Sequence, residues 1–369
     1  MAKDNLFSKI IYRTFRKALS VPENPSLVLE NPRKFLIVRQ HNQLGDLLIG
    51  VSLFRAIKEK YPQSSITLIV SPFNYPGLVK NRFLDRVFIF DKKKLLHLSY
   101  LNQLKSILRE EYDVAIVPAI VSVSFTSNLL ARFANAKTRI GPDSLDGIYN
   151  KSSFLFDRRV VLDWRKHPDS NVAERNLDIV RPFGINTENF SSEISFDSVD
   201  LSEVKAFLNE IGLNKGELLI GLHAGAGKIQ NRWSLLKYIT LIQKLNGAYK
   251  AKFFLTGSMA DSEELQYIKE NVRIPVYLCM NKPIPVVAAL ISMSQLFICN
   301  DTGIMHVAGA TGVPQISLFG PTNPFNWAPI GSNKHFIRNS ELIDDISADE
   351  VFDLCKSILS GKTNGESLA

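Results

Sequence analysis

The chain has 369 residues, of which 45% are hydrophobic and 22% charged, and its formal charge at pH 7 is +8. This length and composition predict a globular protein of two ordinary domains, and no apolar run is long enough to span a bilayer. The moderate positive charge fits anionic small molecules, a membrane surface or nucleic acid. Because no nucleic-acid-binding motif is visible, nucleic acid is not an expected partner.

The cysteines and histidines argue against other classes of protein. The three cysteines are odd in number and are not spaced as a metal site, and the six histidines form no His-x-x-x-His pair. We therefore expect no metal and no cofactor. The N-terminus lacks an apolar core followed by a small-residue cleavage site, so we expect no signal peptide and a reducing, cytoplasmic location.

The first 20 residues differ from the rest of the sequence and belong to an extension that covers residues 1–32. A basic amphipathic helix is predicted there, with an apolar side of Phe7, Ile10, Ile11, Phe15, Ala18 and Leu19 and a basic side of Lys9, Arg13, Arg16 and Lys17. Such a helix can lie on an anionic membrane surface or pack against its own protein, and both alternatives stay open. Residues 21–32 contain three prolines and predict a connector.

Residues 33–190 alternate between apolar strands and helices. The predicted strands are residues 35–38, 66–70, 87–90 and 113–117, and the predicted helices are residues 46–61, 95–111 and 171–183. Continuous apolar strands separated by helices are typical of a parallel sheet covered on both faces.

A polar stretch over residues 186–200 predicts a linker, and the alternation restarts in a second domain of residues 191–369. The predicted strands are residues 218–222, 252–256, 276–278, 296–299 and 315–319, and the predicted helices are residues 201–212, 234–246, 261–271, 284–294 and 348–359. The sequence therefore predicts an α/β protein with two doubly wound, Rossmann-like parallel-sheet domains that face a cleft.

The most informative stretch is residues 297–310, which predict an apolar strand, a polar turn and a helix of small residues. Unpaired backbone N–H groups at such a helix N-terminus form a natural phosphate site. Thr302 and His306 are four residues apart and share one face of the helix. With Asp301 beside them, this pattern suggests a phosphorylated donor whose other half is polar.

The loop after the first strand ends in Gly-Asp and opens directly into a helix. In open α/β sheets ligands bind beyond the carboxyl ends of the strands, so Asp46 is a candidate general base. Asp is also common as a helix cap, and from the residues alone the cap is the better explanation.

A loop of small residues follows the first strand of the second domain. It contains His223, Gly225 and Lys228, and Arg232 lies just beyond it. Cations at this place would balance a diphosphate without a metal ion. An ordinary loop with solvated cations explains the same pattern almost as well.

Two further loops follow strands of the second domain. Thr256 and Gly257 precede an acidic first helical turn that contains Glu263, and an acid there either binds a ribose or only complements the helix dipole. Pro321 and Thr322 belong to a shaped turn that would line the cleft.

These motifs resemble the heptosyltransferase family, glycosyltransferase family 9. The resemblance extends from about residue 34 to residue 329 in the family's order, and it rests on residues 43–46, 172–177, 223–226, 232–233, 300–308, 319–324 and 327–329. It implies a GT-B fold, with the donor in the C-terminal domain and the acceptor in the N-terminal one. It also implies inverting transfer of a sugar, typically heptose from ADP-heptose onto the lipopolysaccharide inner core.

The resemblance also implies roles for individual residues. It makes Asp46 the general base, which reverses the preference for a cap. The sugar-binding residues would be Asp301 and His306, and the diphosphate-binding residues would be Thr302, Gly303, Arg232 and Lys228. His223, Gly225, Thr256, Gly257, Glu263, Pro321 and Thr322 would line the rest of the donor site.

Two departures from the family pattern leave alternatives open. The family often has Lys where this chain has Arg232, and residues 256–261 depart from the frequent Gly-Gly-Pro form, so the ribose contact is open. The implied partners are a nucleotide-sugar donor, a glycolipid or oligosaccharide acceptor and, through the N-terminal helix, an anionic inner membrane. The alternatives are a sugar-nucleotide epimerase or hydrolase of the same fold, a transferase that uses another nucleotide sugar, and a non-catalytic binding protein.

Overall fold

The computed structural model describes residue 14 and residues 16–40, 44–73 and 75–363, without the side chains of residues 44, 46 and 361–363. Most of the predicted basic helix of residues 1–20 therefore lies outside the described residues. Within the described part, the chain divides into two compact units: one comprises the residues up to 40, 50–75 and 82–190, and the other comprises residues 44–49, 76–81 and 191–363.

The first unit is built on a largely parallel sheet. Its strands are β1 Lys34–Arg39, β2 Ser65–Val70, β3 Arg86–Ile89, β4 Tyr112–Ile116, β5 Ala136–Leu145, β6 Ile148–Tyr149 and β7 Arg158–Leu162. The order is β3-β2-β1-β4-β5-β6, in which only β6 is antiparallel, and β7 pairs with β5 in parallel. The helices of this unit are α2 Val51–Lys60, α3 Leu98–Arg109, α4 Phe125–Phe133 and α5 Val172–Arg175.

The central strand of the first unit explains why the sheet forms where it does. Phe35, Leu36, Ile37 and Val38 of β1 are all fully buried, as expected of a strand covered on both faces. Sequence analysis missed α4, β5, β6 and β7. The 10 residues of β5 include lysine, arginine, glycine and proline, and they lack the apolar run that predicts a buried strand.

The predicted helix over residues 171–183 is wrong. α5 is a single turn, and residues 181–183 form a separate 3₁₀ turn. The side-chain amide of Asn176 donates to the carbonyl of Val172 at 2.8 Å, and its oxygen accepts from Arg39 at 2.8 Å. A side chain that bonds the nearby backbone in this way competes with the continuing helix.

The connector of residues 21–32, the last part of the N-terminal extension, is hydrogen-bonded to the rest of the first unit. The amide of Val21 donates to the carbonyl of Phe154 at 2.9 Å, and that of Asn24 donates to the carbonyl of Asp157 at 2.8 Å. An ion pair of 2.9 Å joins Glu23 to the first unit through Arg159. The described end of the extension therefore packs against its own protein.

The second unit is built on a six-stranded parallel sheet in the order β10-β9-β8-β11-β12-β13. Its strands are β8 Leu219–His223, β9 Lys252–Gly257, β10 Val276–Met280, β11 Leu296–Asn300, β12 Gln315–Leu318 and β13 Lys334–Ile337. Its helices are α1 Leu44–Ile49, α6 Ser198–Glu210, α7 Leu235–Tyr249, α8 Ser262–Asn271, α9 Ile284–Ser292, α10 Gly303–Gly309, α11 Pro324–Trp327 and α12 Ala348–Thr363. One face of this sheet packs with α7, α8 and α12 in a continuous apolar core.

Two short segments of the N-terminal half belong to the second unit by their contacts. One is α1, which Gly50 separates from α2, so the single helix predicted over residues 46–61 is interrupted there. The other is residues 76–81, in which the Lys80 ammonium pairs with Asp197 and Asp200 at 2.6 Å each. Sequence analysis places both segments in the N-terminal domain of residues 33–190.

None of the helices in the described part of the chain combines the length and the apolar character needed to cross a bilayer.

Candidate functional site

The second unit brings the predicted donor residues to the carboxyl edge of its sheet. β8 and β11 are neighbours, and the chain leaves β8 toward β9 on one side and leaves β11 toward β12 on the other. This is the topological switch point of a doubly wound sheet, where ligands bind in folds of this kind. The loops that follow β8, β9, β11 and β12 are therefore the ones to examine.

Asp301 is the point where three of these loops converge. Its Oδ2 accepts a hydrogen bond from Nδ2 of Asn231, in the loop after β8, at 2.9 Å. The Thr322 hydroxyl, in the loop after β12, donates to the same carboxylate. Burial raises the pKa of the Asp301 carboxyl, while Thr322, the charge of Lys228 and Asn231 oppose the rise. The result is a recessed, oriented acceptor group suited to a polyhydroxy ligand.

A fully buried asparagine holds the neighbouring loops together. Asn300 donates through Nδ2 to the carbonyl of Ala224 at 2.8 Å, and its Oδ1 accepts from the hydroxyl of Tyr238 at 3.0 Å. The same hydroxyl lies 3.1 Å from the carbonyl oxygen of His223, so its single proton is shared between two acceptors. Sequence analysis did not assign roles to Asn231, Asn300 or Tyr238. The available signal was a polar residue at the last position of an otherwise apolar strand, since such a residue needs a buried partner.

Arg232, which is predicted to bind the diphosphate, forms an ion pair within the protein. Its Nη1 pairs with Oε1 of Glu264 in the first turn of α8, and its Nε donates to the carbonyl of Ala226 at 3.0 Å. The guanidinium is therefore held in one orientation beside the loop after β8. Its predicted contact with a diphosphate stays a prediction.

His223 and Thr256 form a buried pair at the ends of β8 and β9. Nδ1 of His223 lies 2.8 Å from the carbonyl oxygen of Thr256, which can only accept, so this nitrogen carries the proton. Burial lowers the pKa of the His223 imidazole, so the ring is neutral at pH 7. The pair fixes the direction in which both strands end.

The two glycines of this region are required by close packing. A Cβ added at Gly225 would lie 2.2 Å from Oδ1 of Asp261, and one added at Gly257 would lie 2.4 Å from Cδ1 of Leu265. These contacts keep the loop after β8 against the start of α8. Neither position has room for a side chain. The prediction that both glycines line the donor site stays a prediction.

The predicted phosphate site lies at the start of α10. Thr302 precedes the helix with extended backbone angles, and its side chain makes no capping bond. Gly303 is the first helical residue and is partly exposed. The polar groups of this turn are therefore accessible beside Asp301.

His306 occupies a different environment from the one its spacing with Thr302 suggests. It is 6% exposed, and burial lowers its pKa to about 4. A Cβ added at Gly45 would lie 2.3 Å from Cδ2 of its imidazole. The neutral ring thus packs directly on the backbone of α1, one residue before Asp46.

Asp46 is the third residue of α1. A capping residue precedes the first residue of its helix, so Asp46 does not occupy the N-cap position. This position argues against the alternative that Asp46 only caps its helix. The assignment of Asp46 as a general base stays a prediction.

The remaining predicted residues lie at the exposed rim of the same loops. Glu263, in the first turn of α8, is exposed, and so are Pro321 and Lys228. Lys228 is nevertheless close enough for its charge to act on Asp301. Among the described residues, no group of three or more His, Cys, Asp and Glu side chains is arranged to hold a metal ion.

Comparison with known families identifies the chain. The model of glycosyltransferase family 9 (heptosyltransferase) matches residues 101–350, which is more than half of the sequence. The chain belongs to this family. It is a glycosyltransferase, and the matched range contains Asp301, Asn231 and Arg232, whereas Asp46 lies outside it.

A curated relative and two solved structures agree with this assignment. The family 9 chain is 23% identical to lipopolysaccharide heptosyltransferase 3 of Escherichia coli over 348 residues, which cover 88% of this chain and 99% of that protein. The glycosyltransferase family 9 protein of Veillonella parvula has a TM-score of 0.77 at 19% identity and covers 92% of this chain and 100% of its own. Escherichia coli ADP-heptose lipopolysaccharide heptosyltransferase II has a TM-score of 0.74 at 21% identity, over 89% and 99% of the two chains. These likenesses confirm the predicted GT-B fold.

Proposed function

We propose that this family 9 chain is an inverting heptosyltransferase that moves a heptose from ADP-heptose onto the lipopolysaccharide core. Its relative is named for heptose transfer in lipopolysaccharide synthesis, and one similar structure is named for ADP-heptose. The observation that carries the proposal is the convergence of three strand-end loops on the partly buried carboxylate of Asp301.

The second unit supplies the donor site in this proposal. Asp301 accepts hydrogen bonds from hydroxyls of the transferred sugar, and His306 supports it from the adjoining helix. The backbone at Thr302 and Gly303 binds the diphosphate through N–H groups. Lys228 and Arg232 balance its charge, so the transfer needs no metal ion.

The loops after β8 and β9 surround the nucleoside in the same proposal. Gly225 and Gly257 admit the close packing of Asp261 and Leu265 that shapes these loops, and His223 with Thr256 sets the strand ends. Glu263 is positioned on the first turn of α8 to accept a ribose hydroxyl, and the residues at the opposite rim are Pro321 and Thr322.

Transfer then takes place in a single displacement. Asp46 removes the proton from the acceptor hydroxyl, and the acceptor oxygen forms a bond to the anomeric carbon. The bond from that carbon to the diphosphate oxygen breaks, and ADP leaves with the electron pair. Helix N–H groups and the two cations stabilise the charge that develops on the leaving group.

We also propose a cytoplasmic location with peripheral contact to an anionic membrane. Cys279, Cys299 and Cys355 are free and buried, as is usual in a reducing compartment. The basic N-terminal extension supplies positive charge for a membrane surface.

The experiment combines a panel of nucleotide sugars with a transfer assay. We expect ADP-heptose to raise the Tm more than UDP- and GDP-sugars do, and we expect heptose to appear on a heptose-deficient lipopolysaccharide core. An Asp301→Asn variant should lose most of the ADP-heptose shift, because the amide cannot replace both acceptor oxygens.

A second arm omits the acceptor. Free or epimerised sugar at turnover rates without acceptor would favour the epimerase or hydrolase alternative and contradict the proposal. Donor binding without any product would indicate a non-catalytic binding protein. A stronger response to another nucleotide sugar would reject ADP-heptose as the donor.

A further inference from the structure

The loops at the carboxyl edge of the first sheet expose large apolar side chains. Leu96 is 94% exposed, Leu98 is 77% exposed and Ile148 is 76% exposed. Because β2, β3, β4 and β5 are parallel, the loops that follow them lie at one edge of the sheet. Phe73, Val121, Phe125 and Tyr149, on the loops after β2, β4 and β5, are also exposed.

Part of this edge forms a pocket. Its volume is about 420 Å³, within the range of about 300–1,000 Å³ that is usual for ligand sites. The apolar residues that line it are Val121, Val123, Phe125, Leu145, Ile148 and Tyr149. The pocket lies entirely in the first unit and contains none of the residues assigned to the donor.

Positive charge accompanies the apolar side chains. Lys92, Lys93 and Lys94 form an exposed turn that Leu95 separates from Leu96, and within the described part of the chain none of them forms an ion pair. The neighbouring carboxylate, Asp91, accepts from the backbone amide of Lys93 at 2.9 Å. Residues 1–190 contain 29 Lys and Arg against 18 Asp and Glu, a net charge of +11.

Exposed apolar side chains beside a cluster of lysines fit the surface of an anionic bilayer. The apolar groups enter the boundary between headgroups and acyl chains, and the lysines bind the negative headgroups. A second copy of the chain would bring +11 against +11 and is disfavoured by this charge.

We propose that the loops of residues 71–73, 92–98, 121–125 and 146–151 form the surface by which the first unit docks on an anionic membrane, with the pocket open to hydrocarbon. We call this set the apolar–basic edge. It rests on the proposed membrane contact but assigns that contact to a surface separate from the N-terminal extension. A lipid-anchored acceptor would then meet the enzyme where its headgroup leaves the membrane.

The first test measures binding of the full chain to vesicles. With vesicles of phosphatidylcholine and phosphatidylglycerol, Lys92→Gln/Lys93→Gln/Lys94→Gln should lower the partition coefficient about 100-fold, since each lysine near an anionic surface contributes about a factor of five. Leu96→Ser/Leu98→Ser should lower it at least about tenfold. The matched control, Val199→Ser/Leu342→Ser, removes two apolar side chains of the second unit that are 72% and 67% exposed and should bind as wild type.

The second test locates the contact. In vesicles with brominated acyl chains, the added fluorescence of an Ile148→Trp variant should be quenched, and that of a Val199→Trp variant should not. Equal quenching at both positions, or vesicle binding that the lysine and leucine variants leave unchanged, would overturn the proposal. Self-association that the Leu96→Ser/Leu98→Ser change abolishes, without vesicle binding, would assign the surface to a second copy instead.

A third measurement separates this inference from the proposed function. The leucine variant should transfer sugar to a deacylated, water-soluble acceptor at the wild-type rate and lose activity only with a membrane-embedded acceptor. Equal loss with both acceptors would show a structural defect and reject the docking role. Absence of transfer in every variant and in wild type would reject the proposed function and leave the vesicle result standing.

Discussion

The two units build their sheets on the same plan but place different chemistry at the strand ends. In each, the second strand in chain order flanks the first on one side, and the fourth flanks it on the other. The first unit ends its strands in loops with exposed apolar side chains, and the second ends them in a partly buried polar cluster around Asp301. Residues 1–190 carry a net charge of +11, whereas residues 191–369, with 15 basic and 18 acidic residues, carry −3.

This difference shows that the strand order shared by the two sheets does not determine which ligand each unit binds. The same carboxyl edge serves as an apolar and basic surface in one unit and as a set of oriented hydrogen-bonding groups in the other. Function depends on the side chains that each loop carries, as is general for folds that host many activities. The predictions below test this division between an acceptor half and a donor half.

The largest effect on the transfer rate is expected from a substitution of Asp46, the proposed general base. An Asp46→Ala variant should lower kcat about 10²- to 10⁴-fold, because the acceptor hydroxyl loses its base, while the Kd for donor stays near wild type. Steady-state transfer and donor titration measure the two quantities. The Glu59→Ala variant, at an exposed position of α2, is the control and should change neither. A wild-type rate of transfer by the Asp46→Ala variant would show that Asp46 is not the general base.

Arg232 tests the donor half. An Arg232→Ala change should raise the KM for donor about 10- to 100-fold, because a charge-assisted hydrogen bond to the diphosphate is lost, and should lower kcat less. Glu264→Gln removes the ion-pair partner and leaves the cation. If both variants change the KM equally, Arg232 only supports α8 and does not bind donor.

A substitution at Gly45 tests how tightly α1 packs against His306 of α10. Gly45→Ala would place a methyl group 2.3 Å from the His306 ring, and we expect about 1–3 kcal/mol of destabilisation from overpacking. Denaturant unfolding measures it. Gly247→Ala in α7, where a Cβ meets nothing within 4 Å, should be neutral or stabilising.

A double variant sharpens this test. His306→Ala creates space for the new methyl group, so Gly45→Ala/His306→Ala should be less destabilised than the sum of the single variants. Additive effects would mean that Gly45 and His306 do not constrain each other.

The smallest effect concerns pH and the same histidine. The folded pKa of His306 is about 4, below the ordinary value of 6.5, so its contribution to stability is complete above pH 6.5 and is lost as the pH falls toward 4. At pH 5.5 the loss should be about 1.4 kcal/mol. Comparing unfolding free energies at pH 7.5 and 5.5 should show a loss that is about 1.4 kcal/mol larger in wild type than in His306→Gln, because the buried His223, whose pKa is also lowered, contributes in both proteins. The same pH dependence in both proteins would contradict burial of a neutral ring.

Much of the fold could be predicted because local pattern and burial agree in it. β1 and β11 each contain a run of four apolar residues, and the structure buries these runs in central strands. β5 could not be predicted in this way, because its neighbours on both sides supply the pairing that its own sequence does not indicate. The helix expected over residues 171–183 failed for a related reason, since Asn176 bonds the backbone and Arg39, which is distant in sequence.

The candidate site was predictable as a set of loops but not as a set of contacts. The stretch around Asp301 is recognisable from its polar turn and small-residue helix. Its partners Asn231 and Thr322 come from other loops, and only the strand order brings them within hydrogen-bonding distance. Likewise, nothing in the spacing of His306 indicates that its ring packs on Gly45.

The sequence by itself determined the family, the two α/β domains and the loops that contain the candidate site residues, because apolar periodicity and short motifs are local properties. Only the tertiary structure decided that Asn300 and Tyr238 hold the loops after β8 and β11 together, that Arg232 is paired with Glu264, and that α1 and residues 76–81 belong with the second unit. These are contacts between residues far apart in the chain, and their energies depend on burial and distance, which exist only after folding.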